Sequence, residues 1–401
     1  MPVEIQQPAT SSGHNLRGAV PAATTTVDVC IIGGGLLGAT TAYYAARAGK
    51  KVLLLEESEL ASGASGAAFG GVSIGIYSYS SARVPLSYVE LSKASLALYQ
   101  EAQEEIGAPL DLDAPGSIDP FYSEEGTRRG RERAEGLRAC GVPCEFLDYK
   151  QIKEIEPAVS PAAVSAIYCP VDAHVTPLCV VWAFAKAARR YGAEIRTNVR
   201  VDSLIRRGDR VIGVLSSDGA IHAETVVNTA GLGAARLTES IGLRVPVDAS
   251  RGQMFVTERI PPLLRTYVHN IKQTPSGTIV LGATRENGFT ETATTVEGTR
   301  EILDWAVRLI PALANVKLLR SWAGIRPVPP DGYPIIGRPD GIDGLLIAVM
   351  HRGVTLAPVV GRILADLAIS GSTRHDIDPY RLSRFANTAE HGEAEETFYA
   401  G

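Results

Sequence analysis

Three glycines, Gly33, Gly35 and Gly38, stand in G-x-G-x-x-G spacing, with Leu36 and Leu37 between the second and the third. Such a spacing acts through the backbone. The first glycine permits a tight turn, the second lets amide N–H groups approach a pyrophosphate, and the third allows a helix to pack closely on a strand. The motif alone is weak, but both flanks fit it: Val27–Ile32 reads as a buried strand and Ala39–Ala48 as a helix. A second strand, Lys51–Leu55, runs into Glu56 and Glu57, and Glu56 is placed to accept hydrogen bonds from an adenosine ribose. Its distance from the last glycine, just under about 20 residues, is the expected one. Small residues follow soon after, first Ser62-Gly63-Ala64-Ser65-Gly66 and then Phe69-Gly70-Gly71-Val72. Small hydroxyl residues there can bond a second phosphate and leave room for an isoalloxazine ring, which points to FAD rather than NAD. A glycine-rich turn that binds nothing, followed by a flexible surface loop, is the alternative.

The elements that must position these residues come in pieces. Tyr88–Ile106 has helical apolar spacing, and the stretch to about Tyr149 is polar, charged and interrupted by Pro109, Pro115 and Pro120, as an inserted second domain would be. Pro177–Tyr191 reads as an amphipathic helix, followed by strands at Glu194–Thr197, Arg210–Leu215 and Thr225–Thr229. The last of these ends in Ala230-Gly231, two small residues that let backbone come against a flat ring or simply close a strand. From about Val245 to Leu319 the pattern is β-rich (Gln253–Glu258, Thr278–Ala283) with one helix, Val296–Leu309. The strand Leu345–Val349 leads through a turn at His351-Arg352-Gly353 into a final helix, Val354–Ile369.

Composition bounds the rest. The 401 residues exceed one ordinary domain, and 45% apolar content supports a sizeable core. A formal charge of −5 gives no basic stripe for nucleic acid, and the apolar runs read as too short to cross a bilayer. Cys30, Cys140, Cys144, Cys169 and Cys179 show no metal-binding spacing; free thiols and a cytoplasmic setting are expected. Met1–Thr26 lacks an apolar stretch of the secretory type and reads as a disordered tail.

Taken together, GGGLLG with Glu56, the NTAG strand end at Asn228–Gly231, Arg251-Gly252-Gln253, LGATRENGF at Leu281–Phe289 and WAGIRPVPPDGYPIIG at Trp322–Gly337 resemble the FAD-dependent D-amino-acid, glycine and sarcosine oxidase family. Within it, the chain resembles the catalytic subunits of opine oxidases and hydrogen cyanide synthase. The resemblance covers about Val27 to Gly371. It implies an α/β fold with a Rossmann-like FAD-binding domain and a substrate domain on a large antiparallel sheet. The FAD domain would take residues 27–87, 150–244 and 322–375, and the substrate domain 88–149 and 245–321, with tails at 1–26 and 376–401. The resemblance also assigns roles. Gly33, Gly35 and Gly38 would hold the pyrophosphate, Ser62, Ser65 and Gly66 the phosphate and ribityl chain, and the Val201 backbone would meet the adenine. Gly71, Ala230 and Gly231 would line the cofactor. Gly353, Val354 and Thr355 would bring helix N-terminal amides near flavin N1 and O2, stabilising the negative charge of the reduced ring.

Arg326, in the G-x-R-P motif, would bind the substrate carboxylate, because a guanidinium pairs with a planar carboxylate in two places. A structural arginine paired with Asp331 or a backbone carbonyl is the alternative. His351 and Arg352 would line the site, and Arg285 would serve a second carboxylate or stand as a solvated charge. Hydride would leave the carbon bearing the nitrogen of a D-amino acid, a glycine-like imino acid or an opine, and the imine would hydrolyse to a keto acid and an amine. Sarcosine oxidases carry a lysine that promotes reaction with oxygen where Val280 falls, and attach flavin through a cysteine that this chain lacks after Cys179. Noncovalent FAD is therefore expected, in a dehydrogenase that passes electrons to a partner or belongs to a heteromer. A self-sufficient oxidase producing hydrogen peroxide and an electron-transfer subunit with a vestigial site are the alternatives.

Overall fold

The computed structural model describes residues 25–74 and 85–386. Most of the two expected tails lies outside these residues. The parts inside are ordered elements: Thr25 and Thr26 begin a strand, and Asp378–Tyr380 and Leu382–Phe385 form short 3-10 turns with Tyr380 buried. The helices are α1 (Leu36–Arg47), α2 (Leu86–Ile106), α3 (Glu124–Ala139), α4 (Tyr149–Ile155), α5 (Pro177–Arg190), α6 (Gly233–Glu239), α7 (Val296–Leu309) and α8 (Gly353–Ser370).

The first sheet has eight strands in the order Ile335–Gly337, Leu345–Val349, Gly219–Asn228, Thr25–Ile32, Val52–Leu55, Glu194–Arg196, with the hairpin Val201–Arg207/Arg210–Ser216 joined to Gly219–Asn228. Its centre is parallel, and Ile32 is level with both Leu55 and Asn228. That register brings three strand ends together, so Gly33, Glu56 and Thr229 leave the sheet side by side. Ligands of open parallel sheets bind at such carboxyl ends. Strands buried on both faces read as continuous apolar runs, as VLLL at 52–55 and LLIAV at 345–349 do.

Among the described residues the second sheet has nine strands, with Asp248–Arg259 next to one edge, between Thr278–Gly282 and Leu318–Val328. It is mostly antiparallel; Tyr267–Val268 runs parallel to Ser117–Phe121. Four segments sit differently from the sequence expectation, one of them α4, grouped with the nucleotide segments, whose Ile152 packs with Phe255 and Ile302 of the substrate half. Ser165–Cys169 and Trp322–Val328, grouped above with the nucleotide segments, are strands of this second sheet. Helix α2, grouped with the substrate domain, buries Leu91, Leu98 and Tyr99 in one core with α1, α5 and α8. The physical reason is that apolar periodicity states that an element is buried, not which sheet buries it.

Helix α8 is long and apolar enough to span a membrane by composition, contrary to the reading that no run is. It is instead a core helix. Leu356, Ala357, Val359, Val360, Ile363 and Leu364 are buried, and Gly361 lets it cross α1 where an added Cβ would come 2.3 Å from Thr40 Oγ1. Helix α3 went unread because Gly126, Gly130 and Gly136 and many charges obscure its pattern. Its start was legible, since Ser123 accepts from Gly126 N at 3.0 Å and Glu124 and Glu125 occupy the first turn.

Candidate active site

The glycine turn is a backbone cradle that admits no side chains. A Cβ on Gly38 would fall 1.9 Å from the Gly33 carbonyl, one on Gly33 2.7 Å from the Thr229 carbonyl, and one on Gly35 2.8 Å from Ser65 Oγ. Gly35 offers no side-chain cap to α1, whose Leu36 amide donates to Ser65 Oγ at 3.0 Å. A first turn with this make-up presents amides of the kind that bind an anion. Glu56 closes the turn, its carboxylate accepting from the amides of Gly34 (2.6 Å) and Ser58 (2.9 Å), with Ser62 Oγ at 3.5 Å. Gly66 packs on the Ala61 carbonyl, where a Cβ would stand at 2.1 Å, while Glu57 is exposed. Next door, Asn228 Oδ1 accepts from the Ala230 amide at 3.2 Å, and Gly231 takes a positive φ of 57°. Val201 is buried at the start of its strand, and its carbonyl accepts from Arg236 at 3.3 Å. The cradle thus fits a dinucleotide in shape and donor set.

Helix α8 begins at Arg352, which holds a left-handed backbone (φ 61°), and no side chain caps it. Space beside Gly353 is open, with no atom within 4 Å of an added Cβ. Thr355 Oγ1 accepts from Ser73 N and donates to the Gly71 carbonyl, both at 3.3 Å, which clasps the small-residue strand to the helix start. Pro358 cannot donate to the Val354 carbonyl four residues back; the buried Tyr99 hydroxyl donates to it instead, at 2.7 Å. The Val354 carbonyl in the first turn of α8 therefore keeps a donor despite the proline.

Arg326 lies on Leu318–Val328 opposite Ser250. Its guanidinium occupies the space above Gly252, where a Cβ would meet Nη2 at 2.2 Å, and Nη1 donates to the Arg251 carbonyl at 3.1 Å. Asp331 is not its partner, being held by Arg384 at 2.7 and 3.0 Å. Arg251 itself turns away to pair with Glu286, whose other oxygen accepts from Gln253 and Thr284. Arg326, Arg352 and Arg285 all bear on His351: burial first, then these three positive charges, push its imidazole well below the usual histidine range. Arg285 is exposed, and the other three are half-buried. The site therefore gathers positive charge around a histidine that is neutral at pH 7.

Four features escaped sequence reading. Gly252 forms the slot for Arg326, and Tyr99 completes α8. Asp172 is a buried carboxylate that accepts from Ile74 N, Ser117 Oγ and Tyr267 Oη at 2.7, 2.7 and 3.1 Å, tying the small-residue strand to the second sheet. Lys272 is buried on Ile271–Gln273, cross-strand from Val280. None belongs to a local motif; only the RGQ tripeptide signalled Gly252.

A model of the FAD dependent oxidoreductase family (DAO) matches residues 28–367. Hydrogen cyanide synthase subunit HcnC of Pseudomonas aeruginosa is 31% identical over 314 residues, 75% of this chain and 75% of its own. An opine oxidase subunit of Rhizobium meliloti is 30% identical over 287 residues, 70% of this chain and 77% of its own. The crystal structure of glycine oxidase from Geobacillus kaustophilus, 30% identical, matches with a TM-score of 0.83 over 90% of this chain and 99% of that one. The chain belongs to this family of FAD-dependent oxidoreductases, has its mixed two-domain α/β fold, and is an enzyme acting on amino compounds.

Proposed function

We propose that the enzyme oxidises the C–N bond of a small amino or imino acid, a D-amino acid, glycine-like compound or opine, and that Arg326 anchors its carboxylate. One observation carries this reading: the Arg326 guanidinium stands in a slot cut by Gly252, and its charge acts on the same histidine as those of two further arginines. In this reading Gly33–Gly38, Glu56, Ser62–Gly66, Val201 and Ala230-Gly231 would hold FAD noncovalently, and Gly71 with the amides of Gly353, Val354 and Thr355 would line its ring. FAD, when bound, supplies the acceptor for a hydride from the carbon bearing the nitrogen.

The chain's own residues do the rest. Arg326 fixes the carboxylate in two places and so orients the C–H bond. Arg352 and Arg285 hold further negative charge, as an opine's second carboxylate supplies. The substrate nitrogen must be neutral for its lone pair to be available, and His351, kept neutral by its surroundings, adds no positive charge beside it and offers a ring nitrogen to accept a hydrogen bond from the amine. Water then hydrolyses the released imine to an oxo acid and an amine, a step that needs no nucleophile from the protein. Two relatives are named as subunits, which supports a chain that works within a heteromer and passes electrons to a partner.

The test is the visible spectrum of the FAD-loaded protein, anaerobically, before and after glycine, sarcosine, D-proline, D-alanine and opines. Bleaching by one of them is the expected result. A folded, yellow protein that none of them bleaches, also with its co-purified partners present, overturns the reading. Recolouring in air then distinguishes an oxidase from a dehydrogenase.

A further inference from the structure

Lys272 is a buried charge that neither the glycine cradle nor the Arg326 slot uses. It is 4% exposed. Its ammonium donates to the Val175 carbonyl at 2.9 Å and stands 5.1 Å from the centroid of the Phe69 ring. Among the described residues no carboxylate lies within ion-pair distance of it. Burying an ammonium so poorly matched is costly, and its acidity shows this: desolvation brings it down to about 8, with Asp111 pulling the other way. The groups facing it are Asp111, the His174 ring and the Phe69 face, with Tyr267 beyond them. His174 is held at about 4 by burial and by Lys272 itself, so it is neutral at pH 7 and adds no charge.

What makes the position informative is Gly70. This residue has φ +95°, and a Cβ on it would come 2.7 Å from Lys272 Nζ. The ammonium thus fills the space of the missing side chain at the head of Gly70–Ser73. The other side of that short segment is clasped by Thr355, in the first turn of α8. A buried ammonium and the positive end of a long helix therefore bracket the same four residues. Asp111 acts on the ammonium only from beyond ion-pair distance and does not offset its burial, so the arrangement is built for negative charge that arrives with a bound group.

We propose that Lys272 is a cofactor-facing cation that stabilises the negative charge FAD gains on reduction. Two electrons and one proton leave the reduced cofactor with one negative charge more than the oxidised form, and a desolvated cation close by favours that form. The inference rests on the reading that Gly70–Ser73 lie beside the ring.

The experiment compares the wild-type holoenzyme with Lys272→Met and Lys272→Arg, each equilibrated anaerobically with dithionite and a reference dye at pH 7. At a poise that half-reduces wild-type FAD, the oxidised-to-reduced ratio in Lys272→Met is expected to rise about tenfold or more, and Lys272→Arg to stay near wild type. An unchanged ratio in a folded, FAD-loaded Lys272→Met protein overturns the proposal. Should that variant lose FAD, the wild-type protein decides: the ratio must show an additional inflection with pH near the Lys272 ionisation, and its absence overturns the proposal equally. A shifted ratio in a protein that no candidate amine bleaches removes only the substrate reading. Bleaching with an unshifted ratio removes only the role of Lys272.

Discussion

The two halves of the site are built in opposite ways. On the proposed cofactor side, the carboxyl ends of three parallel strands offer backbone groups, and the essential side chains there are absent ones, at Gly33, Gly35 and Gly38. On the proposed substrate side, a mostly antiparallel sheet offers charged side chains: Arg326 is seated over Gly252 of the neighbouring strand, and Lys272 over Gly70. A backbone cradle tolerates no added atom, whereas a side-chain site tolerates changes that keep charge and reach. Substitutions should therefore separate the two halves by what they destroy.

The largest effect is expected in the cradle. Gly38→Val places carbon against the Gly33 carbonyl in a turn with no room to shift, so the purified variant should be colourless and regain no visible absorbance with added FAD. Arg326→Met should stay yellow and lose roughly 100-fold or more in apparent substrate affinity, measured by anaerobic bleaching. Gly252→Val should copy it, because the new side chain takes the guanidinium's space. If Gly252→Val loses FAD instead, the halves are not separable and the comparison fails.

Smaller effects sharpen the boundary. Tyr99→Phe leaves the Val354 carbonyl without a donor beside Pro358, and should cost about 1–3 kcal/mol in denaturant unfolding while substrate specificity holds. The smallest effect is a pH dependence. His174 is held at about 4 against an ordinary 6.5, so in this window the unfolded chain binds the proton and the folded one does not. Stability should therefore decline as pH falls from 6.5 toward 4, and His174→Gln should flatten that decline.

The same contrast explains what was legible in the sequence. The cradle is local: its glycines, its strand and Glu56 lie within one βαβ unit, and its elements were readable to within three residues, the helix starting at Leu36 instead of Ala39, while α7 and Leu345–Val349 were readable to the residue. The substrate half is not. Lys272 meets Phe69, Gly70 and Val175, far away in the chain, and nothing in IKQ distinguishes it from a solvated lysine on a sheet edge. Arg326 was found because a family motif marked it; Arg251-Gly252-Gln253 was marked as well, but its role as the slot for that guanidinium was not. Sheet membership failed for the same reason, since Ser165–Cys169 and Trp322–Val328 carry their pairing partners elsewhere in the sequence.

The central claim is that a substrate carboxylate is held by Arg326 beside the cofactor. Its most direct test is anaerobic bleaching of the FAD-loaded protein by the best amino acid of the panel against the matching amide, whose carboxylate is replaced by a neutral carboxamide. The account predicts bleaching by the acid, little by the amide, and a much smaller difference between the two in Arg326→Met. Equal bleaching by acid and amide in the wild type would contradict it.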